Sequence, residues 1–244
     1  MAFADIAHPT AFLTAPREPE EFADPLKTIN EVADFLTPAS WLVKLAELVL
    51  GTDPVKWAQT KFAGDWKAYA RCAEAWRNLG RACDAMARNL DAGNRHADRT
   101  WDGNAADAAF AYFDTLRRDL EEFRDSLDVM SDEYRAVARA VSATGEAMGE
   151  CLLAILDALI TVAITTAAGT ATGWTGCGAV MGYALGAQEA RFILQQWERM
   201  TELLNTAQLA VNACYGTIGR VGGEAMAKLN RFQLPRAGYD HPAV

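Results

Sequence analysis

The sequence predicts an all-α fold, an elongated bundle of long antiparallel helices built on a helix-turn-helix hairpin with a Trp-x-Gly corner. Three observations carry this expectation. The eight prolines fall at positions 9, 16, 19, 25, 38, 54, 235 and 242, leaving none between Val55 and Leu234. Proline removes a backbone donor and clashes with the preceding turn, so a long proline-free run rich in Ala, Leu, Glu and Arg favours long helices. Second, apolar or small residues recur at three- and four-residue intervals on both sides of Trp101-Asp102-Gly103, which places a seam along one side of each helix. Third, no stretch alternates with the two-residue period of a strand.

In chain order, residues 1–23 hold three prolines and the cluster Glu18-Pro-Glu-Glu21, and are expected to form an extended or disordered arm. Short packing helices follow over 24–64. Asp24-Pro25, Thr37-Pro38 and Asp53-Pro54 each put a capping residue before a proline at the first helical position, and Gly51 and Gly64 are expected to close the second and third helices. The long bundle is expected over 65–232. Its first helix carries Trp66, Tyr69, Ala73, Trp76, Gly80, Cys83, Ala87, Leu90, Ala97 and Trp101, a series interrupted by Asn94. After the corner, Asn104 and Asp107 resemble a capping box, and the series resumes at Ala106, Ala109, Phe113, Leu116, Leu120, Phe123, Leu127, Met130, Tyr134, Val137, Val141, Thr144 and Met148. The hairpin spans about 65–150. A third long helix, with Ile193, Trp197, Met200, Leu204, Ala207, Val211, Cys214, Ile218, Val221, Ala225 and Leu229 on its seam, should run back toward the corner. Residues 233–244 are expected to form a flexible tail.

Between these helices lies a glycine-rich apolar tip at about 151–188. Asp157 is its only charged residue between Cys151 and Gln188, and it contains Gly169, Gly173, Gly176, Gly178, Gly182 and Gly186, the last three spaced GxxxGxxxG. Glycines at that spacing permit close helix contact, either in the end of a soluble bundle or in a membrane-inserting hairpin over 152–187. Leu152 to Ala168 is at the short end of a spanning helix, and its threonines make it only mildly hydrophobic.

Composition narrows the function classes. Hydrophobic residues make up 51 % and charged residues 23 %, and the net charge of −9, with bases scattered among the acids, argues against nucleic acid as a partner. The cysteines at 72, 83, 151, 177 and 214 are odd in number, form no CxxC and sit largely on apolar stripes, as buried thiols do. The N-terminus shows no basic region followed by an apolar core, so no Sec-type signal is expected. Neither catalytic motifs nor a cofactor fingerprint appear, and His96, near the end of a helix with Asp91 and Asp98 close in sequence, suits a solvated or dipole-complementing role. The chain is therefore expected to be non-enzymatic, with no cofactor and no metal site.

Trp101-Asp102-Gly103 has a second copy of its pattern in Trp174-Thr175-Gly176, so its flanks carry the weight. Phe62-Ala-Gly-Asp-Trp66, Trp76-Arg-Asn-Leu79 and Thr100-Trp-Asp-Gly-Asn-Ala-Ala-Asp-Ala-Ala109 together resemble the longer actinobacterial members of the WXG family of type VII secretion substrates. In length and extra helices the chain is also similar to PPE-type proteins. The resemblance implies a helical protein that pairs with a small WXG-family partner or with itself. It also implies engagement with the type VII machinery and a secreted or cell-surface location after a cytoplasmic stage. It makes Trp101, Asp102 and Gly103 the partner or turn motif, and leaves Gly169, Gly173, Gly178, Gly182 and Gly186 as the membrane-contact or close-packing set. One departure stands out. The family's export signal often includes Tyr-x-x-x-Asp/Glu, but here the fourth residue after each tyrosine is Ala73, Leu116, Ala138, Ala187, Gly219 or Ala243.

Overall fold

A computed structural model describes residues 5–17, 24–36, 40–171 and 177–230, the side chains of 40, 166–171 and 177–185 excepted. It is an all-α helical bundle, and no strand occurs among the described residues. A short 3-10 turn at Pro9–Phe12 precedes six helices: α1 Pro25–Leu36, α2 Ser40–Leu50, α3 Pro54–Lys61, α4 Trp66–Asp98, α5 Asn104–Ala171 and α6 Cys177–Leu229. The chain divides into two compact units, one formed by residues 1–19, 68–136 and 213–244, the other by 20–67 and 137–212.

In the second unit, local sequence sets the short helices. Asp53 caps α3 with its Oδ1 accepting from the backbone N–H of Val55 at 2.9 Å and of Lys56 at 3.0 Å, and Pro54 fills the first position, where no donor is needed. Gly51, at φ +73°, ends α2 and donates its N–H to the Glu47 carbonyl at 2.8 Å. The end of α3 differs from expectation: the helix stops at Lys61, with the Phe62 N–H bonded to the Ala58 carbonyl at 3.0 Å, so Gly64 lies beyond the cap. Thr37 and Pro38 fall outside the described residues. Ile29, Val32, Leu36, Leu42, Ala46, Val55, Ala58 and Phe62 are buried, as are Met148, Cys151, Leu152, Ile155, Leu156 and Leu159 on α5. Leu36, Leu42, Ala46 and Val55 close on Leu152, Ile155, Leu156 and Leu159 around a gap of only about 10 Å³. That is the near-void-free packing of an ordinary protein core. Trp57 and Trp197 meet with ring centroids 4.7 Å apart.

Two α5 glycines set how closely α1 approaches. A methyl group at Gly145 would lie 2.6 Å from the Pro25 Cα, and one at Gly149 would lie 3.1 Å from the Thr28 Cβ. The two residues are one helical turn apart, so they form a smooth track on which the first turn of α1 rests.

The first unit is built on alanine. Ala70, Ala73, Ala82, Ala85 and Ala87 of α4 are buried, together with Leu127 and Met130 of α5 and Val221 and Ala225 of α6. Tyr69 stacks on Tyr134 at 5.6 Å and meets Tyr215 edge-on at 6.4 Å, which joins all three helices. Charge pairs lock the register: Arg124 to Asp84 at 3.0 Å, Arg77 to Asp132 at 3.2 Å and Lys228 to Glu122 at 3.2 Å. Cys214 lies beside Glu133, and burial, reinforced by this contact, pushes its thiol up to about 11. Because residue 214 faces 133 while 228 faces 122, α6 runs antiparallel to α5, toward the corner. The residues 5–17 run beside α4: Asn89 Oδ1 accepts from the Ile6 and Ala7 amides at 3.1 and 3.0 Å, its Nδ2 donates to the Ala7 carbonyl at 2.9 Å, and the Arg17 amide donates to Glu74. Residues 1–4, 18–23 and the tail 233–244 lie outside the described residues.

Candidate functional site: an apolar groove at the hairpin corner

At the end of α4 the amides of Thr100 and Trp101 both donate to the Ala97 carbonyl at 3.0 Å, which tightens the last turn and stops the helix. Gly103 then adopts φ +100°, a conformation that side chains with a Cβ rarely take. Its carbonyl accepts the first α-helical bond of α5, from the Asp107 amide at 3.1 Å. Asn104 is thus the first helical residue, and Gly103 stands at the N-cap position that the capping-box expectation gave to Asn104. Asp107 in the first turn complements the positive end of the helix dipole.

Trp101 does not plug the corner. It is 49 % exposed, and Phe110 and Phe113 on α5 are 37 % and 39 % exposed. Together with Leu90 and Ala97 of α4 and Leu116 and Leu120 of α5 they line a groove of about 710 Å³. Asp5, Asp98, His96, Asn89 and Asn94 supply its polar border. The apolar stripe of α5 therefore divides in two. From Leu127 onward its residues are buried (Leu127, Met130, Val137, Val141 and Met148) or half-buried (Tyr134 and Thr144), whereas between Ala109 and Leu120 they face the groove.

Asn94, which breaks the apolar series on α4, has a structural task that sequence alone concealed. It is buried, and its Nδ2 donates to the Phe110 carbonyl at 3.0 Å, holding the two arms of the hairpin together beneath the groove. Asn89 and the N-terminal segment likewise had no sequence signal beyond a polar residue at a helical position. The charged outer face of α5 is a solvated network. Arg117 bridges Asp114 at 2.9 Å and Glu121 at 2.7 Å, and its hydrogen bond holds the Asp114 carboxyl below its ordinary range.

The glycine set is not brought together at this site. Gly169 falls in α5 and Gly178, Gly182 and Gly186 in α6, while Gly173 lies outside the described residues, as do the surroundings of 166–185. At Gly186, the position a Cβ would take meets nothing within 4 Å. Trp174-Thr175-Gly176 also lies outside the described residues. Among the described residues no group of three or more His, Cys, Asp or Glu side chains is placed to hold a metal ion.

No curated protein and no solved structure matches the chain. A family model for the WXG100 like domain does match, over residues 63–200. That span begins just before α4, takes in the Trp101-Asp102-Gly103 corner and covers more than half of the sequence. The chain thus belongs to the WXG100-like family of helical, type VII secretion-associated proteins.

Proposed function

We propose that this protein is a non-enzymatic type VII secretion substrate or assembly subunit that pairs with a small WXG-family helical partner at the Trp101-Asp102-Gly103 corner. One observation carries the reading: a groove lined by half-exposed aromatic residues of α5 and the corner, together with apolar residues of α4, lies beside the Trp101-Asp102-Gly103 turn. Aromatic side chains in such a groove offer large apolar contact at low entropic cost, the usual make-up of an interface hot spot. A partner helix carrying Tyr-x-x-x-Asp/Glu would supply the acidic element that follows no tyrosine of this chain. The protein would then leave the cytoplasm through the type VII machinery. Of the glycine set, Gly169, Gly173, Gly178 and Gly182 would serve close helix contact, a role that the open surroundings of Gly186 do not support.

The test is export. In the native host, deletion of the type VII ATPase should retain the protein in the cells, and undiminished protein in the culture supernatant would sink the proposal. Co-expression with the short helical protein encoded next to it, where one carries Tyr-x-x-x-Asp/Glu, should give a complex that Trp101→Ala and Phe113→Asp weaken.

A second reading, membrane insertion of the 152–187 hairpin, draws on one feature of α5. It contains an 18-residue window of mean hydropathy 2.0, of which 44 % is buried. Vesicle flotation and leakage decide it: no association with anionic or zwitterionic vesicles at any pH removes this reading.

A further inference from the structure

The groove carries different charge at its two ends. Away from the corner, Asp84, Asp114 and Glu121 each hold an arginine: Arg124 reaches Asp84 at 3.0 Å, and Arg117 bridges Asp114 at 2.9 Å and Glu121 at 2.7 Å. At the corner the acids are unmatched. Asp5 and Asp98 line the groove, Asp102 follows Trp101 and Asp107 follows Ala106 in the chain, and all four are exposed. Among the described residues none of these four carboxylates makes an ion pair. Arg99 and His96 are the basic residues beside them in sequence, since Arg95 is held by Asp91 at 3.1 Å. Asp98 closes the last turn of α4, where the negative end of the helix dipole opposes a carboxylate, so helix stability does not account for it. From Ala106 to Leu120 the α5 wall of the groove is about 21 Å long, the length of about four helical turns.

We propose that the groove takes one amphipathic helix of a partner protein, with an apolar face for Phe110, Phe113 and Leu116 and a cluster of Lys or Arg at the end that lies on the corner. The proposal rests on the reading of this groove as the partner site, and states the partner's chemistry and polarity. The apolar walls supply affinity without direction, because they are alike along their length. Direction comes from the carboxylates, since a helix lying the other way leaves them without countercharge. A second copy of this chain is the poorer fit: in a two-fold contact the same acidic rim would meet itself. An acidic element elsewhere on the partner is kept off the rim and stays open to the secretion machinery.

Designed helical peptides test this on the full chain. Peptides of about 20 residues share one apolar face, with leucines three and four apart, and carry either lysines or glutamates over one terminal turn. Binding is read by fluorescence anisotropy. The lysine peptide should bind about 10-fold tighter than the glutamate peptide in about 50 mM salt, with the ratio falling toward one in about 0.5 M salt. Asp98→Asn with Asp102→Asn should remove the difference while helicity by circular dichroism stays unchanged. Phe113→Asp should weaken the binding of the lysine peptide, which separates seating in the groove from general attraction to an acidic chain. Equal affinities, no binding by either peptide, a lysine preference that survives the double substitution, or one indifferent to Phe113→Asp would overturn the proposal. Equal affinities that Phe113→Asp nevertheless abolishes would leave the groove as the partner site and remove only its polarity, so the two readings can fail separately.

Discussion

The two halves of α5 carry the same three-four apolar spacing but are treated differently by the fold. Around Gly145 and Gly149 the stripe is covered: α1 lies close enough that a side chain at either position would collide with it, and Leu152, Ile155 and Leu159 are buried beneath the short helices. Around Phe110 and Phe113 the same kind of stripe faces a groove of about 710 Å³. The difference lies in what the rest of the chain supplies. Three short helices cover one half, and on the other α6 ends at Leu229, before the corner is reached. Identical periodicity thus specifies a core in one place and an open surface in another.

Two glycines sharpen this comparison. Gly145→Leu should have the largest effect, because the new side chain must displace the first turn of α1. Overpacking of this kind costs about 3 kcal/mol. Urea unfolding should show a lower midpoint, and hydrogen exchange should accelerate across residues 25–36. If the variant exchanges like the parent, the close approach at Gly145 is not as described.

A pair of truncations comes next. Ile155→Ala, in the covered half, should destabilise the fold by about 2–5 kcal/mol, whereas Phe113→Ala, in the open half, should cost under about 1 kcal/mol. Their effects on partner binding should be reversed, with Phe113→Ala weakening it about 10-fold and Ile155→Ala leaving it unchanged in the folded population. Equal destabilisation by the two would erase the distinction between core and groove.

Gly103 differs from Gly145 in kind. Nothing lies within 4 Å of the position its Cβ would occupy, so Gly103→Ala meets no obstacle except its own backbone at φ +100°. The expected loss is about 1–2 kcal/mol, read by thermal unfolding, with an intact hairpin. A neutral outcome would mean that the turn relaxes to another conformation.

The smallest effect concerns Asp128 in the first unit. Burial pushes its carboxyl above the ordinary range, partly offset by Arg124 and Arg77. A raised carboxylate pKa stabilises the fold below the unfolded-state value near 3.8, and this contribution is lost as pH rises through the folded-state value. Asp128→Asn should therefore flatten the fall in stability above pH 4 relative to the parent, measured by urea titration across pH 3.5–6. An unchanged slope would show that the carboxyl is better solvated than its position implies.

Much of this architecture is legible in the primary structure. Proline placement and apolar spacing give the long helices, Asp53-Pro54 the start of α3, Gly51 the end of α2, and Gly103 the turn, because each rests on backbone sterics or a donor within a few residues. The family, too, was readable from the residues around the corner, and the match over 63–200 agrees with that reading. Tertiary structure alone decided which stretches of each stripe are covered. Gly145 and Gly149 look like ordinary helical glycines until α1 is laid on them, and Asn94 looks like a break until its amide meets the Phe110 carbonyl. Trp101 could have been a plug or an exposed rim, and nothing in its sequence neighbours distinguishes the two. Local chemistry fixes the φ and ψ of nearby residues, whereas burial depends on where distant segments end, and that is set by packing across the whole chain.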